Sequence, residues 1–176
     1  MSETEKLVMK AKKGDRESLA QLIKSIKEIL YKTAFTYLKN RDGALDAFSE
    51  TSYRICERIN SLKKPEAFKS WAMSILVNIC REQIRKNKNV VFLSNEDMPS
   101  DEYETDDSSI MSIDIARALD SLCKKHREVL ILRYYSDLEV KEIARILGIS
   151  EGTVKSRIHY ALKKLDGYFK KMEVVI

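Results

Sequence analysis

The sequence predicts an all-α protein: two helical domains joined by a flexible acidic linker, with a helix-turn-helix as the C-terminal domain. On both sides of residues 94–109, apolar residues recur every three or four positions, and strand-like alternation is scarce. Residues 94–109 carry seven carboxylates, no Lys or Arg and no apolar period, which is typical of an extended linker. We therefore expect domains over 1–93 and 110–176, with the linker over 94–109 between them.

Composition excludes several classes of protein. The chain has 176 residues and 44% hydrophobic content, which is enough for buried cores. It has neither a membrane-spanning window nor a signal peptide, so we expect a cytoplasmic protein. Cys56, Cys80 and Cys123 lack CxxC spacing, so we expect free thiols that pack in the interior. His126 and His159 are too few and too far apart for a metal or nucleophile–base site, and no phosphate-binding loop occurs. We expect no cofactor, no metal, no small-molecule substrate and no enzymatic activity.

The first domain reads as a bundle of helices. Gly14 and Asp15 predict a helix stop followed by an N-cap, and Asp42 predicts the cap of the next helix. Pro65 suits the first turn of a further helix that runs to about Lys88. The apolar positions that carry these helices are Leu19, Leu22, Ile23, Ile26, Leu30, Ala34, Tyr37, then Leu45, Phe48, Ile55, Ile59, Leu62, and then Phe68, Trp71, Ile75 and Ile79.

The second domain ends in two helices around a glycine turn. Asp137 predicts the cap of a short helix, Gly148 ends that helix, and Ser150 caps the last one. Small and apolar residues at these spacings are typical of a helix-turn-helix, whose second helix enters the major groove of DNA. Two amphipathic helices precede it, carrying Ile113, Ala116, Leu119, Leu122 and then Val129, Leu130, Leu132 and Arg133.

The last helix has two unlike faces. The apolar face, expected in the core, consists of Val154, Ile158, Ala161, Leu162 and Leu165. The opposite ridge carries Ser156, His159 and Lys163, with Tyr160 beside it and Lys155 and Arg157 on its flanks. Hydrogen-bond donors on the ridge could read base edges while cations at the sides hold phosphates. A merely solvated polar face is the alternative.

Charge is segregated along the chain. Residues 1–93, 94–109 and 110–176 carry net charges of +8, −7 and +4. Two basic bodies flank an acidic segment, and this arrangement favours a polyanionic partner.

Three motifs in order resemble the extracytoplasmic-function (ECF) sigma factors, bacterial RNA polymerase specificity subunits. Residues 46–51, DAFSET, are similar to the family's D-L-V-Q-E-T. Residues 68–85 are similar to F-x-x-W-L-x-x-I-A-x-N-x-x-x-D-x-x-R, with Glu82 where Asp is usual. Residues 127–133, REVLILR, and 148–157, GISEGTVKSR, match the family's helix-turn-helix region. The resemblance spans nearly all of both domains.

The resemblance implies an alternative sigma factor. Such a protein binds the largest and second-largest subunits of core RNA polymerase. It directs the polymerase to specific promoters and helps open the DNA for transcription initiation. The acidic ridge Asp46, Glu50, Tyr53 and Glu57, which is out of place on a DNA surface, would dock on the polymerase. The ridge of the last helix would read the upstream promoter element at minus thirty-five.

The helix after Pro65 would bind the downstream element at minus ten. It is apolar on most sides and keeps one polar strip, which could hold the melted strand while a loop over 61–67 pockets a flipped base. The residues assigned to this contact are Lys63, Lys64, Trp71, Ser74, Asn78, Arg81, Arg85 and Lys88.

The family also implies regulation. A cognate anti-sigma factor, often membrane-anchored, covers the polymerase-binding faces until a signal such as stress arrives. The protein would then be held at the inner membrane face and join the nucleoid when released. From the residues alone, a stand-alone helix-turn-helix regulator and a helical adaptor stay open as alternatives, and binding to core polymerase separates them from a sigma factor.

Overall fold

The computed structural model describes residues 1–91 and 113–173 of the chain, and the regular secondary structure in these ranges is helical. The chain divides into two compact units, Met1–Tyr103 and Glu104–Ile176. The predicted all-α fold with two helical domains is therefore confirmed. The predicted linker over 94–109 lies outside the described residues, so the linker and the predicted domain bounds stay predictions.

Within the described residues 1–91, the first unit has four helices and two short 3-10 turns. The helices are α1 (Glu3–Lys12), α2 (Arg16–Leu38), α3 (Arg41–Arg58) and α4 (Phe68–Val91), and the turns are Ile59–Ser61 and Pro65–Ala67. Helix α4 packs against α2 and α3. The core is formed by Val8, Leu22, Leu30, Ile55, Phe68, Met73, Leu76 and Val77, all fully buried.

Which residue caps a helix in this unit depends on backbone conformation as well as on residue type. Asp15 caps α2 as predicted, and its carboxylate accepts from the Glu17 N–H at 3.1 Å. The prediction of Asp42 as the next cap was wrong. Asn40 has the extended backbone that an N-cap needs and accepts from the Gly43 N–H at 2.6 Å, so Asp42 already lies in the first turn. Pro65 opens a 3-10 turn that leads into α4.

Two further expectations for the first unit need correction. Helix α1 was not predicted, because most of its residues are polar; only Val8 and Ala11 are buried. Cys80 is buried, and desolvation raises the pKa of its thiol to about 12, so the thiol stays protonated. Cys56 and Cys123 are exposed. The prediction that all three cysteines pack in the interior was therefore wrong for two of them.

The second unit contains the helix-turn-helix. Its helices are α5 (Ile113–Asp120), α6 (Lys124–Leu130) continued by a π-helical stretch (Ile131–Tyr135), α7 (Val140–Leu147) and α8 (Glu151–Glu173). Gly148 ends α7 with φ 67°, a left-handed conformation that glycine adopts at little cost. Ser150 then accepts from the Thr153 N–H at 3.1 Å at the start of α8, as predicted.

The predicted cap of α7 was wrong. Asp137 has φ 49°, and the helix begins later, at Val140. Glu139 is the N-cap, and its own N–H donates to the carboxylate of Glu142 at 2.9 Å. A residue in the left-handed region turns the chain before the helix starts, which moves the cap two positions on.

An arginine joins α5 to α6. The guanidinium of Arg127 donates to the carbonyls of Leu119, Asp120 and Leu122 at 2.9, 3.0 and 3.2 Å. These carbonyls lie at and just beyond the end of α5, where intrahelical donors run out. Leu119, Leu122, Leu130 and Ala161 form a buried cluster beneath it. The prediction that Leu162 faces this core was wrong, since it is 42% exposed.

None of the described helices is long and apolar enough to cross a membrane.

A pair of glycine substitutions tests the helix-turn-helix turn. Gly148→Ala should lower the free energy of unfolding of the second unit by about 1 kcal/mol, because a left-handed φ strains an L-residue. Gly167→Ala adds the same methyl group within α8, where nothing beyond the adjoining helix backbone lies within 4 Å of the new carbon. It should raise that free energy by about 0.5–1 kcal/mol. Urea denaturation followed by circular dichroism measures both, and shifts of equal sign would contradict the assigned turn.

Candidate polymerase and nucleic-acid interfaces

The acidic ridge lies on the solvent side of α3. Asp46, Tyr53 and Glu57 are exposed, and the Tyr53 hydroxyl donates to Glu57 at 3.3 Å. Glu50 is less exposed and accepts from the Arg54 guanidinium at 2.7 Å. The opposite face of α3 buries Ala44, Ala47, Thr51 and Ile55. Helix α3 is therefore held by its apolar face and presents the ridge outward.

Arg54 also acts across to α4. The hydrogen bond and charge of Lys86 lower the pKa of Glu82, and the charge of Arg54 adds a smaller effect in the same direction. Glu82 and Lys86 form an i,i+4 salt bridge of 3.1 Å on the α4 surface. Glu82 thus stays ionised and offsets part of the positive charge at this end of the polar strip.

The polar strip of α4 is the only described side of residues 68–86 that lacks fully buried apolar residues. Asn78 and Arg85 are exposed, whereas Ser74 and Arg81 are half-buried. The Ser74 hydroxyl donates to the Trp71 carbonyl at 2.6 Å, so its proton is used within the helix. Lys88 lies in the helix, but its side chain is outside the described residues. Asn78 is therefore the exposed amide of α4 within residues 68–86.

Trp71 borders this strip. Its ring is half-buried and lies 6.3 Å from the ring of the buried Phe68, tilted by 40°. Such a contact fixes the indole from one side. Part of the ring stays accessible at the edge of the strip.

The segment before α4 presents two cations. Leu62 is buried between the two 3-10 turns, and the next residues, Lys63 and Lys64, are exposed. The side chain of Lys12, from α1, donates to the Leu62 carbonyl at 2.7 Å. Sequence reasoning missed this contact, because nothing in the local pattern joins residues fifty positions apart.

Helix α8 presents the outward ridge as predicted from its period. Val154 and Ala161 are fully buried. The residues assigned to the upstream element are exposed, apart from the half-buried Arg157: Lys155, Ser156, His159, Tyr160 and Lys163. The rings of His159 and Tyr160 meet edge-on at 5.7 Å. The Ser156 hydroxyl donates to the Thr153 carbonyl at 3.1 Å, which leaves its lone pairs facing outward.

His126 of α6 lies close to positive charges on α8. Desolvation lowers the pKa of its imidazole, and the charges of Lys164 and Arg157 lower it further. Its Nδ1 is buried and has no hydrogen-bond partner among the described residues. The imidazole is therefore neutral at pH 7 and belongs to the packing of α6 rather than to a metal site. No group of three or more His, Cys, Asp or Glu side chains placed for a metal ion occurs in the described part of the chain.

Comparisons with known families cover both units. Residues 22–90 match the family described as Sigma-70 region 2, and residues 118–166 match Sigma-70, region 4. These ranges cover α3 and nearly all of α4 in the first unit, and α6, α7 and the first two thirds of α8 in the second.

Two relatives come from Bacillus subtilis (strain 168). The chain is 34% identical to RNA polymerase sigma factor SigV over 155 residues, covering 88% of this chain and 93% of the relative. It is 28% identical to ECF RNA polymerase sigma factor SigW over 169 residues, covering 88% and 90%.

Solved structures share the fold. The sigma factor RpoE from Bartonella quintana, in complex with the anti-sigma factor NepR, superposes with a TM-score of 0.72 and 25% identity, covering 84% of this chain and 95% of that one. CnrH in complex with the cytosolic domain of CnrY gives a TM-score of 0.72 at 20% identity, covering 96% and 97%. The second likeness shows the fold alone.

Proposed function

We propose that three surfaces of this chain divide the work of an ECF sigma factor. The chain belongs to the sigma-70 family and, within it, to the ECF sigma factors. These are alternative sigma factors that bind RNA polymerase and direct it to promoters. The acidic ridge docks on core polymerase, the strip of α4 with the loop before it captures the opened downstream element, and the outward ridge of α8 reads the upstream element. A stand-alone helix-turn-helix regulator would not need a domain similar to Sigma-70 region 2, which residues 22–90 match. Sigma factors are initiation factors, and we expect this chain to catalyse no reaction.

One observation carries the proposal. Helix α4 buries apolar residues on most of its circumference and leaves a polar strip with the exposed Asn78, while α3 of the same unit exposes carboxylates. Opposite charge on adjacent helices suits two unlike partners. The cationic strip suits a phosphate backbone, and the carboxylates would repel one.

Docking through the acidic ridge rests on exposure and charge. The largest subunit of core polymerase is the partner that the family resemblance implies, and contact with the second-largest subunit is part of the same proposal. Asp46 forms no salt bridge among the described residues, whereas Glu50 is paired with Arg54. Asp46 is therefore the cleaner place to test complementarity.

Asp46→Lys should raise the Kd for core polymerase about tenfold, which corresponds to about 1.4 kcal/mol. Glu28→Lys reverses the same charge on α2, where Glu28 is 80% exposed, pairs with Lys32 of its own helix and is distant in sequence from the ridge. This control should leave the Kd unchanged. Fluorescence anisotropy of labelled protein against core polymerase gives both values, with circular dichroism to verify helical content. An unchanged Kd for Asp46→Lys would remove the ridge from the proposal.

Strand opening is assigned to the strip of α4. Duplex attraction depends mainly on long-range charge, whereas holding an unstacked base needs a short-range amide or aromatic contact. Asn78 is uncharged and exposed, so changing it removes the second kind of contact without altering the first. Trp71 contacts Phe68 as well, so its removal would disturb the core.

Asn78→Ala should leave closed complexes intact and reduce open complexes about fivefold, the loss expected for one hydrogen bond of about 1 kcal/mol. Permanganate reactivity of unpaired thymines in the downstream element, at matched holoenzyme occupancy, measures the effect. Gln21→Ala removes an exposed amide from α2 and serves as the control. Equal thymine reactivity for Asn78→Ala and the unsubstituted protein would show that the strip takes no part in melting.

Upstream reading is assigned to α8. Ser156 and His159 lie on the ridge at the centre of the exposed face, and Lys155 and Arg157 lie on its flanks. Central side chains can reach base edges, Ser156 as an acceptor because its hydroxyl donates to Thr153, whereas flanking cations meet phosphates. The family resemblance also implies a base contact for Lys155. Tyr160 and Lys163 would extend the same contact along the groove.

His159→Ala should change which upstream sequences are used, by about 1–3 kcal/mol at the base that it contacts. Arg157→Gln should lower use of all sequences together and reduce the salt slope of binding by about one. Run-off transcription from a promoter library at several salt concentrations separates these outcomes. Because Arg157 is half-buried beside His126, the Arg157→Gln variant must first be shown to unfold at the same temperature as the unsubstituted protein. A uniform loss for both variants would mean that the ridge does not read sequence.

Regulation by an anti-sigma factor is the last part of the proposal. RpoE, which shares this fold, was solved bound to the anti-sigma factor NepR. A cognate inhibitor of this chain would cover its polymerase-docking surfaces, so inhibitor and core polymerase should compete for one sigma molecule. Whether membrane-anchored or not, such an inhibitor would act from the cytoplasm, where polymerase and promoter DNA are found. Simultaneous binding of both to the chain would contradict this.

A further inference from the structure

The N-terminal helix braces the loop that precedes α4. Helix α1 packs against α2 and against both 3-10 turns of the 59–67 segment. Val8 and Ala11 are its buried residues, and Lys12, one position after Ala11, reaches the segment. Its Nζ donates to the carbonyl of Leu62 at 2.7 Å in a partly buried contact. This contact ties the start of the chain to the segment that leads into α4.

The Leu62 carbonyl lies where the chain has left the first 3-10 turn. Leu62 has extended backbone, with φ −66° and ψ 108°, so its carbonyl does not accept from the N–H three positions on, as a carbonyl within a 3-10 turn does. A backbone carbonyl beside a buried side chain costs free energy if it stays unpaired, and the ammonium group of Lys12 supplies a donor for it.

The Lys12–Leu62 hydrogen bond fixes the peptide group that orients Lys63. Leu62 is held on three sides: its side chain is 3% exposed, its N–H donates to the Ile59 carbonyl at 3.2 Å, and its carbonyl accepts from Lys12. The next residue along the chain is Lys63, followed by Lys64, and both are exposed. Rotation of the Leu62–Lys63 peptide would turn the carbonyl away from Lys12 and redirect the Lys63 side chain.

We infer that Lys12 is a positioning residue for promoter opening: it fixes the loop over 61–67 so that Lys63 and Lys64 meet the downstream element in one geometry. The inference rests on the proposed role of that loop. Lys12 itself is turned toward the Leu62 carbonyl, so it acts through the loop. A charged hydrogen bond is stronger than a neutral one, and a long flexible amine can reach a carbonyl on another element.

The experiment compares three variants of Lys12 and its neighbour in the full chain with core polymerase. Lys12→Met keeps the length of the side chain and removes its donors, and Lys12→Arg keeps charge and donors. Lys13→Met removes the same charge from an exposed neighbour in the sequence. Thermal unfolding and the Kd for core polymerase are measured first, and all promoter assays are run at equal holoenzyme occupancy.

Lys12→Met should lower permanganate reactivity in the downstream element about tenfold, the loss expected for one charged hydrogen bond of about 1.4 kcal/mol. It should also change the relative use of promoters that differ at single positions of that element. A change in relative use is the decisive reading, because a loss of folded protein would lower all promoters equally. Lys12→Arg should recover most of the opening, and Lys13→Met should match the unsubstituted protein.

A loop variant separates failure of this inference from failure of the proposed function. Lys63→Ala combined with Lys64→Ala should impair opening if the loop contacts the downstream element. Impaired opening in that variant with normal opening and base preference in Lys12→Met would overturn the positioning role alone. Normal opening in both would overturn the role of the loop itself. Equal losses in Lys12→Met and Lys13→Met would assign the effect to charge and also overturn the inference.

Discussion

Burial of α4 on most of its circumference is the constraint on which the first unit depends. Phe68, Ala72, Leu76 and Ile79 are buried on one side of this helix, and Met73, Val77 and Cys80 on the other. A helix packed in this way cannot tilt or rotate without exposing apolar surface, at about 25 cal/mol for each square ångström. Its polar strip is consequently presented at a fixed angle. A rigid helix suits capture of an unstacked base, because the contact depends on short-range geometry.

Charges inside the first unit are arranged around that helix. Arg54 pairs with Glu50 on α3, and Lys86 pairs with Glu82 on α4. Each helix therefore offsets part of its own surface charge with a local ion pair. Asp46 and Glu57 supply the negative charge of the ridge. Arg81 and Arg85 supply the positive charge of the strip, and Asn78 supplies its amide. Two surfaces of opposite sign can thus coexist on adjacent helices without merging into one neutral face.

The parts of the fold that sequence predicts are those with a local cause. Gly148 and Ser150 mark the turn of the helix-turn-helix, since left-handed backbone and hydroxyl capping are properties of single residues. The two buried sides of α4 follow from helical period alone. Prediction failed where several residues compete for one role, as when Asn40 rather than Asp42 caps α3.

Contacts between distant parts of the chain leave no local trace. Helix α1 contributes two buried residues, too few for an apolar period to stand out. The bond from Lys12 to Leu62 depends on how α1 packs, and no local pattern in the sequence marks it. Leu162 shares the apolar face of α8, yet it is exposed because no described element covers it.

Net charge is a poor measure of the DNA-facing surface of the second unit. Arg127 serves three carbonyls and lies 3.4 Å from the Asp120 carboxylate, and Arg133 donates to the Leu138 carbonyl at 2.9 Å. Both arginines belong to the motif that resembles the family, and both act within the fold. On α8, Lys155 and Lys163 are exposed and Arg157 is half-buried, and Lys124, Lys125, Arg145 and Lys164 of the same unit are exposed as well. Because Arg127 and Arg133 bond within the fold, the net charge of the segment does not say which of its cations face a partner.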